Sequence, residues 1–203
     1  MTTFDSVILE ASDPTAAAAF YRAAGLDTYV TVRGTDAPSA GFRGFALSIV
    51  ASQPGNVDAI IGAAVDAGAT ILKPATKSFW GYGGFVQAPD GTIIKVACSK
   101  KKDTDPASRT IDQVALLLGV TDVKASKRFY VENGLAVAKS FGGKYVEFDT
   151  PSSAVTLALY PRHALAKDTG VSQDGTGSHR LVLSGDAGPL TDPDRFLWET
   201  ATA

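Results

Sequence analysis

Two stretches of the chain read alike: DPTAAAAFYRAAGL at residues 13–26 and DVKASKRFYVENGL at residues 122–135. Asp, Ala, the Phe-Tyr pair and Gly-Leu recur at a constant offset of 109 residues. Each stretch follows an apolar run, SVILEA at 6–11 and VALLLGV at 114–120. An Asp ahead of a helical pattern is a good N-cap, because its carboxylate accepts from the free amides of the first turn. A Gly after the last helical residue suits the left-handed C′ position. Each stretch therefore predicts a strand, an Asp-capped helix of about three turns and a glycine stop, and the chain carries an internal repeat.

The other end of each copy is marked by a second pair, APDGTIIKVA at 88–97 and TDPDRFLWET at 191–200. Both have Pro-Asp, one turn residue, apolar residues and then a charge, which is Lys95 in the first copy and Glu199 in the second. Here the offset is 104 (193 minus 89), so the second copy is the shorter. TYVTVR (28–33) follows the first helix as a strand and KYVEF (144–148) follows the second. GFALSIVAS (44–52) reads as a strand and NVDAIIGAAVDAG (56–68) as a helix with Asn56 as N-cap and Gly68 at C′. ATILKP (69–74) and GYGGFVQ (81–87) read as short strands. The second copy has AVTLALY (154–160) as a strand, a helical turn around HALAKD (163–168), a polar loop, and HRLVLS (179–184) as a strand. SGDAGP (184–189) leaves no room for a counterpart of the 56–67 helix.

The polar segment SKKKDTDPASRT divides the chain into residues 1–98, a linker at 99–110, and residues 111–203. The element order is α+β with mixed or antiparallel sheets, because helices are too sparse for a doubly wound parallel sheet. The first copy is short of sheet strands after TYVTVR and the second lacks a helix, so the halves are expected to pack tightly together.

Hydrophobic residues make up 45% of the 203 and charged residues 20%, with a net charge of −2. That balance predicts no bulk attraction to nucleic acid or to an anionic membrane. Lys100, Lys101 and Lys102 read as a solvated linker. Cys98 is the single cysteine, so no intrachain disulfide forms; it reads as a small buried residue near a strand end. MTTFDSVILE has no basic leader, and no apolar run approaches a membrane span, so a cytoplasmic location is expected. GYGG is not a phosphate loop, since no Lys-Ser/Thr follows. His163 reads as a surface helix residue.

The ordered set of strand, Asp, Phe-Tyr, Gly-Leu and Pro-Asp-(Gly), found twice, resembles the vicinal-oxygen-chelate superfamily. That group includes glyoxalases, bleomycin-resistance proteins, fosfomycin-modifying enzymes and extradiol dioxygenases. SFWGYGGFVQAPDGT (78–92) is similar to their final hairpin. The resemblance implies tandem βαβββ modules forming cup-shaped mixed sheets, the second copy truncated, around a small-molecule site. It implies a monomer (a pseudo-dimer) or a homodimer. It also implies metal-ligand positions on facing strands, where one divalent ion such as Zn, Fe, Ni, Co or Mn is held by His, Gln and Glu. In the first half those positions fall on Ser6, Gly44–Phe45 and Lys95, none a credible ligand set, since an ammonium repels a cation. In the second half they fall on Glu199, on His179 and on either Ala115 or Gln113.

Two readings lead, ahead of a third in which the fold is a degenerate module whose surviving role is subunit association. In one, His179, Glu199 and Gln113 hold a metal, and Glu199 and His179 do the chemistry of an isomerase, lyase or dioxygenase. In the other, no metal is bound and the protein sequesters a small organic molecule. His179 could equally cap a strand, and Glu199 could be a solvated strand end. Phe79, Trp80, Tyr82, Phe85 and Trp198 are candidates to line the pocket, with core packing as the alternative. Arg195 stands where the repeat has Gly, so either the turn differs or the Arg reaches into the site.

Overall fold

The computed structural model describes residues 3–201. In chain order the first half supplies β1 (Ser6–Ala11), α1 (Pro14–Ala23), β2 (Val30–Gly34), β3 (Ser39–Gly41), β4 (Phe45–Val50), α2 (Pro54–Asp66), β5 (Thr70–Ser78), β6 (Gly81–Gln87) and β7 (Ile93–Cys98). The second half supplies β8 (Gln113–Val120), α3 (Val123–Glu132), β9 (Val137–Ser140), β10 (Val146–Phe148), β11 (Val155–Pro161), α4 (Arg162–Thr169), β12 (Gly175–Gly177), β13 (Leu181–Gly185), β14 (Leu190–Thr191) and β15 (Leu197–Thr200).

Local chemistry sets the helix ends. Asp13 accepts from the Ala16 amide and caps α1; Asp122 accepts from the Lys124 and Ala125 amides and caps α3. Gly25 and Gly134 follow with φ of 75° and 93°, the left-handed turn that side chains resist. Helix α2 starts two residues before the expected Asn56, at Pro54, whose fixed φ suits the first helical position. Asn56 is instead buried and accepts from the amide of Ser108. Gln53 and Asp103 likewise tie the inter-half segment to the start of α2, through the Thr104, Asp105 and Gly55 amides.

Each of the two large sheets takes strands from both halves. An eight-stranded sheet runs β5-β6-β7-β4-β8-β11-β10-β9, and its halves meet where β4 pairs antiparallel with β8. A five-stranded sheet runs β14-β15-β13-β1-β2, joined where β1 pairs antiparallel with β13. Only the small β3, paired with β12, lies between β2 and β4, which matches the expected shortage of strands in the first copy. β13 leads through a turn to β14 and β15 with no intervening helix.

Alternate strand residues face the main core, including Val114, Leu116 and Leu118 of β8, with Ala17, Phe20 and Tyr21 of α1 and Val57, Ile60 and Ala64 of α2 packed on the same side. The two ends of each repeat are hydrogen-bonded. Tyr21 donates to Asp90 at 2.9 Å, and Tyr130 donates to Asp192 at 2.8 Å. Burial, reinforced by the facing carboxylate, raises both phenols well above the ordinary value. No helix among the described residues is long and apolar enough to cross a membrane.

Candidate functional site

The eight-stranded sheet curves, and its concave face is built by the residues that alternate with the main core. Ala46, Phe85, Ile93, Ala115, Leu117 and Ala158 cluster there with Leu165 and Ala166 of α4. Helix α4 therefore fills one part of the cup. The remainder is a groove of about 770 Å³ between β5–β7 and α4, lined by Lys73, Trp80, Phe85, Lys95, Tyr160 and Asp168 among others. Its floor is shallow in side chains: a Cβ on Gly83 would come within 2.7 Å of the Ala97 Cβ, so only glycine fits.

Charge in the groove is organised around Phe85. Lys73 and Lys95 lie 5.7 and 5.3 Å from its ring centroid, within cation–π range. Lys95 pairs with Asp168 at 2.9 Å, and Lys73 donates to the carbonyls of Lys167 and Asp168 at the C-terminal end of α4. Both lysines come from the first half and both hold down a helix of the second. Cys98 also lines the groove; burial pushes its thiol up, away from a nucleophilic thiolate.

The aromatic candidates separate. Phe85 sits in the cup, and Trp80 stands at the hairpin rim with 83% of its surface exposed. Phe79 is as exposed and packs edge-on to Trp80, with Lys101 over its ring. Tyr82 contributes to the groove wall, but its hydroxyl donates to Asp58 of α2 on the other side of the sheet. Trp198 is not a groove residue. It is 2% exposed and packs in the core against Phe4 and Tyr130, because β15 turns it inward while Leu197 faces out.

Three comparisons bear on this arrangement. No protein-family model matches the chain, and no curated protein matches its sequence. Among solved structures, glyoxalase I from Zea mays superposes with a TM-score of 0.60 at 14% identity, covering 98% of this chain and 92% of that one. A Bacillus subtilis protein described as a candidate dioxygenase superposes at 0.51 and 12% identity, covering 90% and 69%. The chain has the glyoxalase fold.

In this example of the glyoxalase fold the three expected metal ligands are not brought together. Gln113 sits on β8 of the eight-stranded sheet and donates to Thr156 at 2.9 Å. Glu199 sits on β15 of the other sheet and takes a bidentate pair of bonds from Arg33, at 2.9 and 3.0 Å. The same guanidinium holds Glu10 at 2.7 Å, and its bonds to the two carboxylates raise its pKa further. His179 precedes β13, whose Ser184 is the register partner of Glu199. His179 lies two residues before β13 begins at Leu181 and Glu199 sits beside Ser184 near its far end; three strand steps alone separate them by roughly 10 Å, beyond the reach of one ion with bonds of about 2 Å. No group of three His, Cys, Asp or Glu side chains among the described residues has the spacing of a metal site.

His179 is also fully engaged. Nδ1 faces the carbonyl oxygen of Arg43 and Nε2 faces that of Asp194 at 3.0 Å, while the ring stacks on Phe196 at 4.2 Å. Neither nitrogen is free to ligate. Its role has a counterpart in the first half, which the sequence hides. GFRGFALS (41–48) and GSHRLVLS (177–184) are equivalent strand entries, offset by 136 (179 minus 43). Arg43 donates to the carbonyl of Asp90 as His179 faces that of Asp194, so each clamps the Pro-Asp turn of its own copy.

The Pro-Asp turns themselves keep one geometry. Gly91 has φ 92° and Arg195 has φ 70°, so Arg195 does not change the turn; it occupies a left-handed position and lines a polar cavity. A Cβ on Gly91 would press to 2.8 Å from the Arg43 guanidinium, whereas the second copy has the smaller His179 at that place. His163 is exposed on α4, as expected of a surface helix residue.

Proposed function

We propose that the protein binds a small, flat organic molecule in the groove of the eight-stranded sheet, without a metal held by Gln113, His179 and Glu199. The observation that carries this is the groove itself: an aromatic ring between two ammonium groups, a glycine floor and a rim tryptophan, in a volume fit for a small ligand. The separation and prior engagement of the three candidate ligands support the metal-free reading over the isomerase, lyase or dioxygenase one. Sequestration or carriage of the ligand is the activity such a site performs.

The chain has two tryptophans, and only Trp80 is exposed, so the test is optical. Titrating with 1-naphthol and 1-naphthoate, which share a ring system and differ in charge, should quench part of the tryptophan emission saturably. Trp80→Phe leaves only Trp198 and should abolish the quenching. Phe85→Ala should weaken binding, measured by calorimetry, about tenfold or more, consistent with a loss of roughly 1–2 kcal/mol of aromatic contact. No saturable signal with either probe, or unchanged affinity in Phe85→Ala, refutes the proposal.

A further inference from the structure

A second cavity, of about 550 Å³, lies between the start of α4, the segment 173–179 that carries β12, and the Pro-Asp turn at 193–195. Three guanidinium groups line it: Arg43, Arg162 and Arg195. Arg162 is fixed by donating to the carbonyls of Gln173 at 3.1 Å and Phe42 at 2.8 Å, and it stacks over the Phe42 ring at 5.0 Å. Those bonds use Nε and Nη2 and leave Nη1. Gly44, at φ 85°, leaves that nitrogen room, since a Cβ there would lie 2.3 Å from it. Arg43 spends Nη2 on the Asp90 carbonyl, and its Nη1 is buried with no hydrogen-bond partner. The Arg195 side chain has no hydrogen bond or ion pair among the described residues, although φ 70° is a left-handed position that L-residues resist.

The two acids on the same wall, Asp194 and Asp174, lie near enough to favour the Arg162 charge but form no ion pair with it among the described residues. Asp194 accepts from the Thr121 amide, the Thr121 hydroxyl and the Ser126 hydroxyl, and Asp174 accepts from the Ser172 hydroxyl. None of the ion pairs among the described residues involves Arg43, Arg162 or Arg195. Burial lowers both Arg43 and Arg162 from the ordinary guanidinium value, so each charge is held in a poorly solvating place. Arg162, fixed and without an ion pair, with the unpaired Arg195 beside it, is an arrangement that suits a planar or tetrahedral oxyanion.

We propose that this cavity binds a phosphate-type oxyanion, with Arg162 and Arg195 as its donors and Arg43 adding charge from the wall. The inference is independent of the cup. It is tested on the whole protein by thermal denaturation in rising inorganic phosphate, against sodium chloride and sodium acetate at matched ionic strength. Phosphate should stabilise saturably, by roughly 5–10 °C at a hundredfold excess over Kd, and chloride should not. Arg195→Gly restores the glycine of the first copy and relieves the strained φ. It should leave the unliganded Tm unchanged or higher and weaken phosphate binding at least tenfold, which phosphorus NMR line-broadening reads independently. Equal shifts with phosphate and chloride, or full phosphate binding in Arg195→Gly, would overturn the site. Acetate binding as tightly as phosphate would overturn its assignment to a phosphate-type ligand.

Discussion

Replacing Tyr130 by Phe removes one hydroxyl from the core, and the structure sets what that costs. Asp192 is 4% exposed. Its Oδ1 accepts from the Asp194 and Phe196 amides, and among the described residues its Oδ2 accepts only from Tyr130, at 2.8 Å. Without that donor a buried carboxylate oxygen is left bare, a loss of about 1–3 kcal/mol. Tyr21 provides the control. Its partner, Asp90 Oδ2, keeps a second donor in the Thr92 hydroxyl at 3.1 Å, so Tyr21→Phe should cost about 0.5–1.5 kcal/mol. At the size of this chain, Tyr130→Phe should lower Tm by roughly 2–12 °C.

The pH dependence gives a second, signed test. Burial raises the Asp192 carboxyl above its ordinary value, and the Tyr130 bond lowers it in part. A raised folded value means that the stability contribution of Asp192 is present at low pH and lost as pH rises through that value. Tyr130→Phe raises the folded value further. Its deficit relative to wild type should therefore be largest near pH 7 and shrink as pH falls toward about 3.9, the unfolded carboxyl value. Urea denaturation of wild type, Tyr130→Phe and Tyr21→Phe at pH 7 and pH 4.5 checks both points. A Tyr130→Phe deficit no larger than that of Tyr21→Phe, or one that grows as pH falls, refutes the reasoning.

Three further outcomes follow from the site. His179→Ala should cost about 1–3 kcal/mol in denaturant, because whichever of the Arg43 and Asp194 carbonyls accepts the ring N–H loses its donor, and elemental analysis should show the same metal content as wild type. Lys95→Met should loosen α4 by about 1 kcal/mol or less, a small figure because both partners are partly exposed; hydrogen exchange confined to α4 and its neighbours would show it, and added salt should shrink the difference. Glu199→Gln should likewise cost about 1 kcal/mol or less, in a salt-dependent way, and the same cost at 1 M salt as at low salt would exclude the ion pair with Arg33 as its cause.

Local structure was legible because its causes are local. Asp13 and Asp122 cap helices with their own side chains, and Gly25, Gly68 and Gly134 take φ values that other residues resist. Pro54 is a stronger helix start than Asn56, and β9 is short and largely exposed, so it carries no apolar alternation to mark it in the sequence. The candidate site was less legible. Trp80 and Phe85 stood out as aromatics, but nothing along the chain separates them from Trp198, whose side faces the core. The equivalence of Arg43 and His179 was hidden by loop length: the repeat runs at 109, 104 and 136 residues in different places, and only the shared clamp on a turn carbonyl aligns them.

By itself the sequence determined the repeated βα units, their caps and their Pro-Asp strand entries, since each depends on residues within a few positions of one another. The tertiary structure alone decided that β4 pairs with β8 and β1 with β13, because strand pairing is a contact between distant segments. That exchange explains the opposite charges at the two strand ends. Lys95 of the first half meets Asp168 of the second, and Glu199 of the second meets Arg33 of the first. Each charge is set by a partner from the other half, which the residues flanking it in sequence do not specify.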